Sequence, residues 1–180
     1  MNKIIYHFKK KIYKFLRKHE TLMQLNIEYY KSQGVEIGNN MRAFSILLTS
    51  EPQLLKFGSN ITVSTNVTFL THDNSVIKLF KDGTDVFGKI SIGDDCFIGS
   101  GTIILPGVEL GKGTIVGAGS VVTKSFKDGE IIIAGNPAKK ICTTEEYRNK
   151  IQSSVLNIRG MDNSEKKLYL ENNKDKLIEK

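Results

Sequence analysis

Between Ile92 and Lys127 the chain repeats every six residues, and this period limits its fold more than any other feature. Read in sixes, the segment gives Ile92-Gly-Asp-Asp-Cys-Phe, Ile98-Gly-Ser-Gly-Thr-Ile, Ile104-Leu-Pro-Gly-Val-Glu, Leu110-Gly-Lys-Gly-Thr-Ile, Val116-Gly-Ala-Gly-Ser-Val and Val122-Thr-Lys-Ser-Phe-Lys. Every hexad opens on Ile, Leu or Val. The fifth residues are Cys96, Thr102, Val108, Thr114, Ser120 and Phe126, mostly small or β-branched. Half of the chain's 16 glycines lie between Gly93 and Gly119. A hexad with an aliphatic lead is the signature of a parallel β-helix, in which each hexad supplies one short strand and one corner. Three hexads close a coil, and the leads stack into an apolar ladder. Glycine admits corners with φ > 0. Hairpins of an ordinary sandwich would alternate with period two at variable spacing, not hold one phase through six hexads. The expected fold is an all-β solenoid.

The same pattern continues more loosely upstream, in Ile37-Gly-Asn-Asn, Phe57-Gly-Ser-Asn-Ile-Thr, Val63-Ser-Thr-Asn-Val-Thr and Phe69-Leu-Thr-His. An irregular piece over 43–56 interrupts it. A longer polar excursion, 73–89, leaves the ladder directly after His72, and long connections of this kind are usually functional or disordered. Residues 1–33 read as a basic amphipathic helical arm, with Ile4, Phe8, Ile12 and Leu16 at every fourth position and Gly34 at its end. Residues 34–142 are the expected β-helix domain. Residues 143–180 are expected to form a C-terminal helix, opened by Thr143 with a capping box to Glu146, and a charged tail.

Composition narrows the chemistry. The 180 residues carry a net charge of +7, which favours anionic partners: a phosphorylated cofactor, an acidic membrane surface or nucleic acid. Two cysteines, Cys96 and Cys142, are too few for a disulfide framework or a cysteine-based metal site. No apolar run is long enough to span a bilayer, and charges break up the N-terminus where a signal peptide would be continuous, so a cytoplasmic location is expected. Gly111-Lys112-Gly113 lacks the Ser or Thr of a P-loop, and Gly99-Ser-Gly101 lacks the third glycine of a dinucleotide fingerprint.

Three segments together, Thr71-His72-Asp73, the run IGDDCFIGSGTIILPGVELGKGTIVGAGSVVTK and the later AGNPAK, resemble the hexapeptide-repeat acetyltransferases. The branch they resemble is that of the maltose and galactoside acetyltransferases and their relatives that O-acetylate capsule and surface polysaccharides. The resemblance covers about residues 37–142. It implies coils that wind left-handed, a homotrimer with active sites between adjacent subunits, acetyl-CoA as co-substrate, no metal, and no nucleic-acid partner.

Acetyl-CoA arrives as an activated thioester, so the enzyme needs no nucleophile of its own; it must take a proton from the attacking hydroxyl. A neutral imidazole suits that task near pH 7. Of three histidines, His7 and His19 lie in the basic arm, whereas His72 lies on the solenoid and matches the family's catalytic histidine. Asp73 could orient it, contact the acceptor, or serve only the loop. By resemblance, the backbone N–H of Ser100 is the oxyanion donor, and Ala118, Thr123 and Lys124 contact the cofactor. Lys139 likewise matches a basic residue facing the CoA phosphates. Where close relatives carry Trp, this chain has Phe97, and the relatives' acceptor-binding residues do not align around Arg42 to Ser45, which leaves the sugar open. Zinc carbonic anhydrases on β-helices need three solenoid histidines, and only His72 is present. The expected activity is acetyl transfer to a sugar hydroxyl of a capsule or surface glycan. N-acetylation of an amino sugar or nucleotide sugar and acetylation of a xenobiotic are the enzymatic alternatives; a non-catalytic assembly module is the third. The arm has two readings of its own: residues 1–20 lie on an anionic membrane, or their apolar stripe packs on the solenoid or a neighbouring subunit as a cap.

Overall fold

The structure is a computed structural model that describes residues 1–179, and it divides into two compact units, Met1–Thr144 and Glu145–Lys180. In the larger unit very short strands follow one another in coils. The first coil holds α1 (Lys3–Phe15), α2 (His19–Ser32), β1 (Glu36–Ile37) and β2 (Arg42–Ala43) at its start. The second holds β3 (Leu55–Phe57), β4 (Thr62–Val63) and β5 (Thr68–Phe69). A hairpin of β6 (His72–Asp73) and β7 (Val86–Phe87) then leaves the coil. The third comprises β8 (Ile90–Ile92), β9 (Phe97–Ile98) and β10 (Ile103–Ile104), and the fourth β11 (Glu109–Leu110), β12 (Ile115–Val116) and β13 (Val121–Val122). A last hairpin, β14 (Ile131–Gly135) and β15 (Ala138–Thr143), closes the unit.

These strands build three faces visited in rotation. The first face is β1-β3-β8-β11, the second β2-β4-β9-β12-β14-β15, and the third β5-β10-β13. Every pairing is parallel except β14 with β15 and the excursion pair β6 with β7. The register steps by three hexads: Ser91 faces Glu109, Phe97 faces Ile115 and Ile103 faces Val121. The architecture is therefore one of stacked parallel rungs, as the hexad phase predicts, and among the described residues no sheet closes into a barrel.

The reason is visible in the burial. The lead residues Ile92, Ile98, Ile104, Leu110, Val116 and Val122 are all buried, each stacked on the lead three hexads away. Burying an aliphatic side chain of this size is worth about 1.5–3 kcal/mol, so the ladder dominates the unit's stability. The fifth residues turn inward as well, and their polar groups are satisfied: Thr114 Oγ1 donates to Gly111 O at 2.7 Å and Ser120 Oγ to Gly117 O at 2.6 Å. The fourth residue of the first five hexads turns the corner at positive φ, as in Asp95, Gly101, Gly107, Gly113 and Gly119, with Asn40, Asn60 and Asn66 upstream. Only Gly, Asn and Asp visit this region cheaply, which explains their placement. Along one corner the side chains also stack, Asn40 Nδ2 donating to Asn60 Oδ1 and Asn60 Nδ2 to Asp95 Oδ1, each at 3.0 Å.

The arm is two helices. Asn2 caps α1 by accepting from Ile4 N–H, and Arg17 ends the segment in the left-handed region at φ 53°. The fourfold apolar spacing runs through Leu16 without signalling this break. Helix α2 supplies the buried residues Leu25, Ile27, Tyr29 and Tyr30, which join Val35, Met41 and Leu47 in the core at the start of the coil. Burial pushes the Tyr30 hydroxyl up to about 12. In the smaller unit, Asp162 caps α4 (Asn163–Glu171) with a full capping box to Glu165; α3 (Thr144–Ile151) precedes it.

Candidate active site

The rungs are regular except at one edge, where the third face turns into the first. In the first coil the third-face strand is replaced by an insertion over 44–51. In the second coil the hairpin that starts at β6 leaves from the same edge. It is pinched shut at its base: Gly88 N–H donates to Thr71 O at 2.9 Å, and His72 pairs with Phe87. A Cβ on Gly88 would lie 2.2 Å from Gly107 N, so only glycine lets the hairpin close against the coil below.

The two insertions meet at His72. Its Nδ1 lies 2.9 Å from Glu51 Oε2, and the same oxygen accepts from Thr71 Oγ1 at 2.7 Å. Their side chains are 37% and 20% exposed, so the pair is sheltered yet reachable. The Thr71 hydroxyl, and then His72, hold the Glu51 carboxyl below its ordinary range. The bond from Glu51 raises His72 above 6.5 against a lowering by desolvation, with the charges of Glu51, Asp85 and Asp73 adding to the rise. An ionised carboxylate only accepts, so Nδ1 carries the proton and the neutral ring keeps its lone pair on Nε2. That is the tautomer a general base requires. The Phe87 ring stands 6.0 Å from the imidazole, tilted across it.

Asp73 has a different occupation. Its Oδ1 accepts the Ser75 N–H at 2.8 Å, and this bond holds its carboxyl below the usual range. The imidazole's carboxylate partner is thus Glu51 and not its sequence neighbour. Glu51 escapes a reading of the sequence because it sits in the aperiodic stretch, just before Pro52, with nothing to fix its register to residue 72.

The remaining candidates divide between two edges of the third face. Thr123 and Lys124 follow β13 on the His72 edge, where Leu105 N–H donates to Val122 O. Lys124 Nζ stands 5.6 Å above the Phe126 ring and borders a pocket of about 420 Å³ that Lys127 and Lys140 also line. Ser100 and Ala118 lie on the opposite edge, where the second face turns into the third. There Ser100 Oγ is 2.6 Å from Ser64 Oγ and 3.1 Å from Thr65 Oγ1, and Gly119 N–H donates to Ser100 O at 2.8 Å. The neighbouring N–H groups of Gly99 and Gly101 are committed to Val116 O and Thr65 O. Lys139 pairs with Ala134, whose Cβ lies beneath Gly117 on that same edge. One chain therefore gathers His72, Thr123 and Lys124 on one edge and Ser100, Ala118 and Lys139 on the other.

A second cavity, about 550 Å³, lies between the insertion that carries Glu51 (Phe44, Ser45, Thr49) and the third-face residues Thr68 and Phe69. Cys96 is not a nucleophile of the site: it is buried in the ladder, and burial pushes its thiol up to about 11.

The family profile described as "Hexapeptide repeat of succinyl-transferase" matches residues 89–124. Over 158 residues the chain is 44% identical to Protein CapG of Staphylococcus aureus, covering 84% of this chain and 91% of that protein. The chain belongs to the hexapeptide-repeat acetyltransferase family. It is accordingly an acyltransferase. A solved maltose O-acetyltransferase from Clostridium difficile 630 is similar to this acetyltransferase at 30% identity and a TM-score of 0.54. The likeness spans 61% of this chain and 59% of that one.

Proposed function

We propose that this enzyme moves an acetyl group from acetyl-CoA to a sugar hydroxyl, in the assembly of a capsule or another surface polysaccharide. The observation that carries the proposal is the Glu51–His72 pair, a carboxylate-oriented imidazole at the edge where one insertion ends and the other begins. The coils are left-handed, and the working unit is a homotrimer located in the cytoplasm. The reason for a second copy is geometric: Ser100 and His72 stand on opposite edges of one face, so one copy's His72 edge must meet the Ser100 edge of the next.

In this reading His72 Nε2 takes the hydroxyl proton as the oxygen attacks the thioester carbonyl. The Ser100 N–H of the adjoining copy then faces the oxyanion of the tetrahedral intermediate. As that intermediate collapses, the carbon–sulfur bond breaks and the imidazolium returns its proton to the departing thiolate. The products are an O-acetyl ester and free CoA. Glu51 neither gains nor loses a proton; it fixes the tautomer and stabilises the imidazolium, the role of a positioning residue. Ala118 and Thr123 flank the pantetheine arm, and Lys124 and Lys139 balance the phosphates.

The test is to incubate the protein with acetyl-CoA and a panel of free sugars, nucleotide sugars, capsular oligosaccharides, amino sugars and phenolic or amide drugs, reading free thiol. Thiol release with hydroxyl acceptors that His72→Ala abolishes supports the proposal. Turnover confined to amines would replace it with N-acetylation, and turnover confined to drugs with a xenobiotic role.

A further inference from the structure

Helix α1 shows its apolar residues to the outside. On a projection of 3.6 residues per turn, Ile4, Phe15, Phe8, Ile12, Ile5 and Leu16 fall within one arc of about 120°. All of them are exposed: Ile4 by 79%, Phe8 by 68% and Phe15 by 86%. The helix is attached by its other side. Tyr6, 4% exposed, stacks on Tyr29 of α2 at 3.8 Å and donates to Asn26 Oδ1 at 2.9 Å, while Tyr13 packs against the same core. The expectation that the stripe caps the coil is corrected within this chain, because α2 supplies that cap with Leu25, Ile27 and Tyr30.

Charge identifies what the arc meets. Seven basic residues and no acid lie between Lys3 and Lys18. Lys11 borders the arc on one side and Lys9 on the other, with Lys3 and Lys14 behind. Pairing this face with a second copy would set two such clusters against each other. An anionic bilayer offers the complement to both parts, hydrocarbon for the arc and headgroups for the lysines. We propose that α1 seats this enzyme on an anionic lipid surface, with its apolar arc below the headgroups and the bordering Lys9 and Lys11 among them. The coil then hangs from α2, and the surface acts as an anchor independent of the acetyl-transfer site.

The full-length protein is sedimented with vesicles of phosphatidylcholine alone or with about a third phosphatidylglycerol. Sedimentation with the anionic vesicles only, weakening as salt rises, is the expected result; each basic group near such a surface strengthens partition by about fivefold. The neutral replacement Phe8→Ser with Phe15→Ser should weaken it by at least about tenfold, with mass by light scattering unchanged. Because the chain has no tryptophan, Phe8→Trp adds a single reporter whose emission should shift to the blue on anionic vesicles. Protein left in the supernatant at low salt, an unmoved emission, or serine variants that bind as well as the parent would each overturn the proposal. So would a change of mass in the serine variants, which would assign the arc to a second copy of the chain.

Discussion

Replacing Glu51 isolates what a positioning carboxylate adds to this site. One oxygen of Glu51 holds both Thr71 Oγ1 and His72 Nδ1. Glu51→Gln keeps an oxygen able to accept both bonds and removes only the charge. Charge-assisted bonds are about twice as strong as neutral ones, which translates into a loss of kcat of about tenfold. Glu51→Ala also frees the ring and its tautomer, and kcat should fall by about 10²–10³. It further leaves the buried Thr71 hydroxyl without its acceptor, at a cost of about 1–3 kcal/mol of stability. His72→Ala sets the floor, about 10²–10⁴ below the parent. Because Glu51 acts through His72, the double variant should be no slower than His72→Ala. The pH profile supplies a second reading. A base works only when neutral, so kcat/KM rises with pH through the His72 pKa, and Glu51 raises that pKa. Removing the charge must move the acidic limb to lower pH. The assay is free-thiol release at saturating acetyl-CoA from about pH 5 to 9. A limb that stays in place, or losses that multiply in the double variant, would refute the assignment.

Lys124→Ala with Lys139→Ala should raise KM for acetyl-CoA while roughly keeping kcat, since attraction to phosphates is alike in ground and transition states; steady-state kinetics at fixed acceptor read this. Ile98→Ala, stacked between Val63 and Val116 at full burial, should cost about 2–5 kcal/mol in denaturant unfolding. Gly99→Ala should disrupt the ladder, because the new Cβ would lie 2.6 Å from Ala118 N, and circular dichroism melts would show it. Light scattering should give the mass of three chains for the active species; an active monomer would remove the intersubunit site.

What could be read from the sequence followed its periodicity. The hexad phase gave the buried lead residues and the glycine corners, since in a ladder each rung repeats the local physics of the one below; the Asn and Asp corners share that left-handed geometry but were not marked by the glycine pattern. His72 stood out because the other two histidines lie in the arm. Glu51 did not, because its place beside His72 is set by how two aperiodic insertions pack, and no local propensity encodes that. The same limit hid the break in the arm. Spacing at every fourth residue marks an apolar stripe but not which side of the helix the protein occupies, and here Tyr6, outside the stripe, makes the contact.

The insertions leave where they do for a physical reason. A rung's strands are only two or three residues long and hold their neighbours above and below, so a loop inserted within one would break bonds on both sides. At a corner, the ladder bonds resume as soon as the chain returns: Leu70 N–H still bonds Ile104 O before the hairpin, and Ile90 pairs with Leu55 after it. The first insertion takes the place of a third-face strand and rejoins the coil at the corner between the third and first faces, and the hairpin leaves from that corner one coil on, which brings the last residue of one to the first of the other. Glu51 ends one and His72 begins the other. The coil therefore brings the end of one insertion and the start of the other to a single corner, and their packing there sets the distance between carboxylate and imidazole.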